Sequence, residues 1–154
     1  MAAPNKMPPL TPYLTVKGAT AALEFYKKAF GAKENMRMPA EDGKRLLHAD
    51  ITINGGRVLL SDWFEEYQSM DGKVDPPSPK HLAPVAVALH YTKPADVDAA
   101  YQRALEAGCS NIQEPQNMFW EARFAMLSDP YGHRWMMNAP LPAKKPEKPA
   151  KKKP

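Results

Sequence analysis

The chain of 154 residues has a single cysteine, Cys109, few glycines and no long uninterrupted apolar run. One cysteine excludes an internal disulfide and fits a reducing cytoplasm, where we expect the protein to reside. Because Cys109 follows Gly108, which should close a helix, we interpret it as a packing residue rather than a reactive thiol. No segment approaches the about 20 apolar residues of a membrane-spanning helix. No secretory signal is visible either, so we expect no membrane partner.

The body of the chain also lacks a strong charge of either sign. The formal net charge is +4. Residues 140–154 contain six lysines and one glutamate, a net +5, so the remaining residues carry a net charge of −1. A nearly neutral body argues against nucleic acid as the principal ligand. The lysine- and proline-rich tail should be disordered and solubilising, with weak contact to nucleic acid or an anionic surface as the alternative.

The chain does have an internal duplication. Residues 11–62 and residues 84–138 show the same order of predicted elements: a strand, a helix, and three strands joined by tight turns. Apolar residues at helical spacing predict the two helices, which end at Gly31 and Gly108. This order predicts an α+β fold, in which two βαβββ modules form a curled mixed sheet around a pocket.

The duplication also divides the chain into segments. Residues 10–139 form the predicted domain, and residues 63–83 connect its two modules. The connector is unusually long for a compact domain, so it is expected to cover the pocket or to contact a partner. Residues 1–9, with three prolines, are a second loose end beside the tail at 140–154.

Turn sequences locate the strands. Asp42-Gly43 and Asn54-Gly55 are hairpin signals, and Asp129-Pro130-Tyr131-Gly132 matches a type I turn. The strands they separate are predicted near 33–39, 45–53, 57–62, 111–118, 122–128 and 133–138. His133 directly follows the third turn, so we expect it at the surface or in a capping role.

Alternation along the third predicted strand separates two faces. An apolar face, which should pack on a helix, contains Leu47, Ala49, Ile51 and Ile53. The opposite face contains His48, Asp50 and Thr52. Since the helices can cover only one side of a sheet, these polar residues should line the cavity. His90 similarly interrupts the apolar strand that begins the second module.

Several motifs resemble those of one known superfamily. They are Thr11-Pro12-Tyr13-Leu14-Thr15-Val16, Phe30-Gly31-Ala32, His48-Ala49-Asp50-Ile51, Phe119-Trp120 and Asp129-Pro130-Tyr131-Gly132-His133-Arg134-Trp135. Together they make residues 10–139 similar to the glyoxalase/bleomycin-resistance/dioxygenase (vicinal oxygen chelate) superfamily, most of all to its PhnB-like branch. The resemblance implies paired βαβββ modules and, often, a homodimer. It does not fix a reaction, because the superfamily includes lyases, dioxygenases, epimerases and drug-sequestering proteins.

The resemblance also bears on metal binding. Metalloenzymes of this superfamily hold a divalent ion with His, Glu or Gln side chains from the first and last strands of the modules. Those positions fall on Thr11, on Leu59 or Leu60, within residues 86–88, and on Met136. Leucine has no lone pair, and a thioether is a poor ligand for hard or borderline ions. We therefore expect no metal at the usual positions and no resident cofactor.

Three functions remain open. The favoured one is binding of a small, partly apolar molecule in the sheet cavity. The residues predicted to bind it are Tyr13, His48, Asp50, Leu60, His90, Trp120 and Met136. The second is a lyase- or dioxygenase-type enzyme with His48 or His90 as acid–base group, or with a divalent metal held by both histidines and Asp50. The third is a dimeric scaffold whose lysine tail binds an anionic partner.

Overall fold

The structure is a computed structural model in which residues 6–67 and 74–146 are described. The elements of the first module are β1 (Tyr13–Val16), α1 (Ala19–Phe30), β2 (Lys33–Pro39), β3 (Leu46–Ile53) and β4 (Gly56–Asp62). Those of the second are β5 (Ala86–His90), α2 (Pro94–Ala107), β6 (Ser110–Met118), β7 (Ala122–Ser128) and β8 (Arg134–Pro140). The predicted α+β fold of two βαβββ modules is confirmed.

Each module forms an open, mixed sheet of four strands. The strand order is β1-β4-β3-β2 in the first sheet and β5-β8-β7-β6 in the second. The first strand of each module runs parallel to the last, and the other pairs are antiparallel. In each module a helix and two strands lie between the parallel strands in the chain, which provides the long connection that a parallel pair requires.

The predicted turns are present. Asn54 and Gly55 have φ values of 49° and 79°, as a type I′ hairpin turn requires at both central positions. In the third turn, the Gly132 N–H donates to the Asp129 carbonyl oxygen at 3.2 Å. The Asn54-Gly55 turn sets the register of β3, which carries the predicted polar face, on β4.

The two helices pack against each other and join the apolar faces of both sheets in one core. Ring centroids of Tyr26 and Phe30 in α1 lie 5.6 and 4.4 Å from that of Trp135 in β8. Arg103 of α2 donates to the carbonyl oxygens of Lys28 and Lys27, at 2.8 and 3.2 Å. A guanidinium therefore supplies donors to the C-terminal carbonyls of α1, which the helix itself leaves unpaired.

A buried carboxylate, Asp129, also ties the modules together. One of its oxygens accepts hydrogen bonds from the Tyr26 hydroxyl at 2.7 Å and from Trp135 Nε1 at 2.9 Å. The other accepts from the backbone N–H groups of Tyr131 and His133, at 2.8 and 3.0 Å. Burial, followed by the charge of Asp129, raises the pKa of Tyr26 well above its usual value.

A second buried carboxylate, Asp62 at the end of β4, caps α1. Its Oδ1 accepts from the backbone N–H groups of Gly18 and Ala19, at 2.8 and 3.0 Å. Its Oδ2 accepts from the N–H of Leu46 at 2.7 Å. The N-terminal N–H groups of a helix have no partner within the helix. Their hydrogen bonds to the Asp62 carboxylate stabilise its negative charge and also stabilise the start of α1.

Two sequence-based expectations are corrected. His133 is not at the surface: it is 6 % exposed, and its Nε2 lies 2.9 Å from the carbonyl oxygen of Thr15. The turn before it packs beside β1, so the ring fills the junction between modules. Leu47 shares a strand face with the buried Ala49 but is 39 % exposed. The β2–β3 pairing shifts register opposite Leu47, which turns this side chain outward.

Other expectations concern the connector and the ends of the chain. Cys109 is buried as expected for a packing residue, and burial raises its pKa to about 12. The described part of the connector contains a short 3-10 helix, Glu65–Tyr67. Residues 1–5, 68–73 and 147–154 lie outside the described residues, and with them most of the predicted loose ends.

Candidate functional site

The face of the first sheet that points away from the helices is called the first open face. It carries side chains from all four strands, because the pairs Tyr13–Leu59, Asp50–Leu59, Met36–Asp50 and Met38–His48 lie side by side. Several of its apolar side chains are exposed: Tyr13 by 51 %, Met36 by 45 % and Met38 by 46 %. The face therefore combines a polar row with apolar surface that no helix covers.

A tyrosine–histidine pair lies on the first open face. The Tyr13 hydroxyl is 2.9 Å from His48 Nδ1, and the two ring centroids are 5.6 Å apart. When the hydroxyl donates to Nδ1, the His48 Nε2–H remains to donate to a ligand. When Nδ1–H donates instead, Nε2 can accept and the tyrosine hydroxyl can donate. Either tautomer leaves hydrogen-bonding groups for a bound molecule.

Beside this pair, Asp50 is held by an ion pair. Arg57 donates to both of its carboxylate oxygens, through Nε at 2.8 Å and through Nη2. Asn35 Nδ2 donates to the same carboxylate at 3.1 Å and to Thr52 Oγ1 at 2.9 Å. Hydrogen bonding from Arg57 lowers the pKa of Asp50, and that from Asn35 adds to the effect. Asp50 is therefore held as a carboxylate in a fixed orientation.

The corresponding face of the second sheet, the second open face, is chemically different. Ala88, Met136 and Met126 lie side by side across it, and Phe124 pairs with Asn138 in the next row. His90, which pairs with Asn138, is exposed at the edge of the sheet. Trp120 lies at the hairpin between β6 and β7, with its ring centroid 5.7 Å from that of Phe124. The centre of this face is apolar, and polar groups surround it, from Gln113, Gln116, Asn138 and His90.

The structure brings together only some of the predicted ligand-binding residues. Tyr13, His48 and Asp50 share the first open face, whereas His90 and Met136 belong to the second and Trp120 to its hairpin. Leu60 is fully buried in the core. Its neighbour Leu59 is the β4 residue that points to the first open face, because successive strand side chains alternate in direction.

Two cavities adjoin the site residues. One of about 340 Å³ lies beside Tyr13, between β1, the start of β5 and the connector, and is largely apolar. Another of about 360 Å³ is lined by both Arg57 and His90. His90 therefore shares a cavity with Arg57, although the two residues belong to different sheets.

Sequence reasoning missed Arg57 and Asn35. Arg57 was within reach of prediction, because the Asn54-Gly55 turn pairs Ile53 with Gly56 and hence Thr52 with Arg57, next to Asp50. Asn35 was not, since the register shift between Glu34 and Met36 that directs it toward Asp50 leaves no signal in the sequence.

The donor groups at the superfamily's metal positions do not suit a divalent ion. In the structure, Leu59 and Met136 point to the two open faces, and Ala88 lies beside Met136. Leu59, Ala88 and Met136 supply one thioether, which binds soft rather than hard or borderline ions, and Thr11 adds only a neutral hydroxyl. Within residues 6–67 and 74–146, no group of three or more His, Cys, Asp or Glu side chains is arranged to hold a metal ion.

Comparison with known proteins agrees with this fold. The family described as "Glyoxalase/Bleomycin resistance protein/Dioxygenase superfamily" matches residues 7–137. An uncharacterised protein of Mycobacterium tuberculosis strain H37Rv is 40% identical over 137 residues, which are 89% of this chain and 77% of that protein.

Solved structures agree as well. A glyoxalase/bleomycin resistance protein/dioxygenase from Nocardioides has a TM-score of 0.66 at 25% identity, covering 96% of this chain and 92% of that one. A PhnB protein from Bacillus cereus, titled a putative 3-demethylubiquinone-9 3-methyltransferase, has a TM-score of 0.64 at 16% identity. The match covers 86% of this chain and 99% of that one, and shows the fold alone.

Among the described residues, neither helix is long and apolar enough to cross a membrane.

Proposed function

Because the chain belongs to the glyoxalase/bleomycin resistance protein/dioxygenase superfamily, we propose that it binds a small, partly apolar molecule on the first open face. The Tyr13–His48 pair is the main support for this proposal. It leaves hydrogen-bonding groups exposed beside the apolar side chains of Met36 and Met38. A site of this kind, apolar with a few placed polar groups, is typical of small-molecule recognition.

The arrangement of charges suggests which part of a ligand each residue contacts. Asp50 and Arg57 already satisfy one another, so they supply little net charge to attract an ion. The groups left to bind a ligand are those of the Tyr13–His48 pair. We therefore expect an uncharged polar group on the ligand to contact this pair, and its apolar part to lie on Met36 and Met38.

Two further features belong to the proposal. The first is that binding needs no resident metal or cofactor, since the donor groups at the superfamily's metal positions are unsuitable. The second is a homodimer in a reducing cytoplasm. A second copy would cover exposed apolar side chains such as Tyr13, Met36 and Met38, and would enclose the ligand.

Acid–base catalysis is the second candidate function. It is favoured by the 2.9 Å contact between the Tyr13 hydroxyl and His48 Nδ1. A histidine held by such a partner can accept a proton from a substrate at Nε2 while the tyrosine stabilises its orientation. Ligand contact through His90, Met136 or Trp120 remains a prediction for the alternative in which the ligand binds on the second open face.

The binding proposal is tested with the neutral apolar dye N-phenyl-1-naphthylamine, whose fluorescence rises in apolar sites. We expect Met38→Ser to weaken dye binding by about fivefold, as loss of a partly buried apolar contact predicts. His48→Ala should weaken it by a similar factor, because it removes a group that can hydrogen-bond the amine N–H of the dye. Ile112→Ser, at a 42 % exposed apolar residue of the second sheet, is the control and should leave binding unchanged.

Other outcomes would assign the binding site to the second open face or contradict the proposal. If Met126→Ser or His90→Ala weakens dye binding and Met38→Ser does not, the site is on the second open face. If none of the four variants changes binding, neither face is the site. Elemental analysis of the purified protein tests the metal-free part: one equivalent of a divalent metal, lost on His48→Ala, would contradict it.

A further inference from the structure

The hairpin between β6 and β7 exposes two aromatic side chains at its tip. Phe119 is 91 % exposed and Trp120 is 45 % exposed. They make an edge-to-face contact, with ring centroids 4.9 Å apart and planes at 86°. Trp120 also contacts Phe124 of β7, so the tip is braced against the sheet. Adjacent exposed aromatic residues of this kind usually mark a contact surface. We call Phe119 and Trp120 the aromatic tip.

The lysine-rich end of the chain begins beside the aromatic tip. After β8, the Leu141 N–H donates to the carbonyl oxygen of Glu121 at 2.9 Å, which holds the chain against the hairpin. Lys144 and Lys145 follow within four residues. An extended chain covers at most about 3.6 Å per residue, so the Cα atoms of both lysines lie within roughly 15 Å of Leu141, which is held next to the hairpin. The sequence then adds Lys148, Lys151, Lys152 and Lys153.

We propose that the aromatic tip, together with Lys144 and Lys145, docks the protein on the surface of an anionic lipid bilayer. The aromatic side chains would enter the interfacial region, which aromatic rings favour. The lysines would contact anionic headgroups, at about fivefold in affinity for each lysine near the surface. Stable peripheral binding commonly needs two such signals, and here the fold places them side by side. The expectation of no membrane partner concerned spanning segments, which this contact does not require.

The geometry favours a bilayer over a nucleic acid. Proteins that bind single strands stack successive bases on aromatic rings, which works when the rings can lie roughly parallel to the bases. The rings of Phe119 and Trp120 stand at 86° to one another, so they cannot both stack on consecutive parallel bases. A protruding apolar tip flanked by cations suits insertion among headgroups instead.

Flotation of the full-length protein with lipid vesicles tests this docking. Vesicles of phosphatidylcholine alone are compared with vesicles that also contain phosphatidylglycerol, at low and at high salt. We expect binding only to the anionic vesicles, and weaker binding at high salt. Phe119→Ser should weaken it by about tenfold, and Lys144→Gln combined with Lys145→Gln by about 25-fold. Val85→Ser, at a 74 % exposed residue distant in sequence, is the matched control and should bind as the unchanged protein does.

Several results would overturn the docking. They are no flotation with anionic vesicles at low salt, flotation unchanged by Phe119→Ser, and a Phe119-dependent affinity for single-stranded DNA in place of vesicles. A change in oligomeric state of Phe119→Ser in light scattering, with vesicle binding unchanged, would assign the tip to a second copy of the chain. His48→Ala should not alter vesicle binding, so this inference and the proposed function can fail separately.

Discussion

The two modules share a backbone plan but carry different chemistry on their open faces. Leu14, Leu60 and Ala49 lie side by side in the first sheet as Leu89, Met137 and Ala125 do in the second. Superposing these triplets pairs Arg57 with Arg134, Asp50 with Met126, His48 with Phe124 and Asp62 with Ala139. The arginine position is the same in both modules, whereas its partners are not.

Arg57 and Arg134 occupy equivalent positions but donate hydrogen bonds to different kinds of acceptor. Arg57 donates to a carboxylate on its own sheet. Arg134 instead donates to the carbonyl oxygens of Ala83 and Pro84, at 2.9 Å for Ala83, and so fastens the end of the connector. One module therefore uses this position to organise a polar face, and the other uses it to hold the chain that joins the modules.

Removing the carboxylate that links the modules should have the largest effect. Asp129→Ala leaves the Tyr26 hydroxyl, Trp135 Nε1 and two backbone N–H groups without their acceptor. We expect the free energy of unfolding in urea to fall by about 3–5 kcal/mol, the range for breaking a buried charged network. The control is Asp98→Ala, whose exposed pair with Arg123 should contribute under about 1 kcal/mol. Equal losses would mean that Asp129 does not join the modules.

The second largest loss of stability is expected when the Asp62 cap of α1 is removed, a cap that has no counterpart at α2 among the described residues. Asp62→Ala removes the acceptor at the start of α1 and should lower the free energy of unfolding by about 2–3 kcal/mol. Asp62→Asn keeps one acceptor oxygen and should lose less. At the start of α2, where the described residues show no side-chain cap, Asp96→Ala should cost under about 1 kcal/mol. If Asp96→Ala lowered the free energy of unfolding as much as Asp62→Ala does, the two helix starts would not differ in their dependence on a side-chain cap.

The substitution Asp50→Met tests the Asp50–Arg57 ion pair, because methionine is the residue at the equivalent position of the second module. Asp50→Met removes the acceptor of Arg57 and Asn35, and we expect a loss of about 1–2 kcal/mol at neutral pH, since Arg57 can turn toward water. Because the pKa of Asp50 is lowered in the folded state, its contribution is present above the unfolded pKa of about 4 and disappears as pH falls through the folded value. The difference in stability between the two proteins should therefore shrink in acid. A difference that stays constant down to low pH would contradict the ion pair.

The smallest effect on stability is expected for His48→Phe, which copies Phe124 of the second module. The pair with Tyr13 is exposed, so the midpoint of thermal unfolding should change little, within about 0.5 kcal/mol in stability. Binding of the apolar dye should nevertheless weaken, since the imidazole is lost and only the Tyr13 hydroxyl remains to bind the amine N–H of the dye. A large drop in thermal stability would instead assign His48 to the structural core.

Much of the fold could be predicted from the sequence because its signals are local. Gly31 and Gly108 end the helices, and Asn54-Gly55 sets a hairpin whose register follows from the turn alone. With the register known, alternation placed His48 and Asp50 on the face away from the helices. These arguments need only neighbouring residues along the chain.

The parts that could not be predicted depend on long-range packing. His133 looked like a turn residue, and only the approach of β1 shows that it is buried. The assignment of Tyr13 and His48 to one face but His90 and Met136 to another depends on how the two sheets share the helices. Periodicity within one strand carries no information on that arrangement.

The central position of the two helices has an evolutionary consequence. Because the shared core supplies most of the packing that both sheets need, a substitution at an exposed residue of either open face disturbs few buried contacts. Such a scaffold can exchange one recognition chemistry for another at small cost in stability. Duplicate modules within one polypeptide can then diverge separately, and a single chain can hold two unlike surfaces at once.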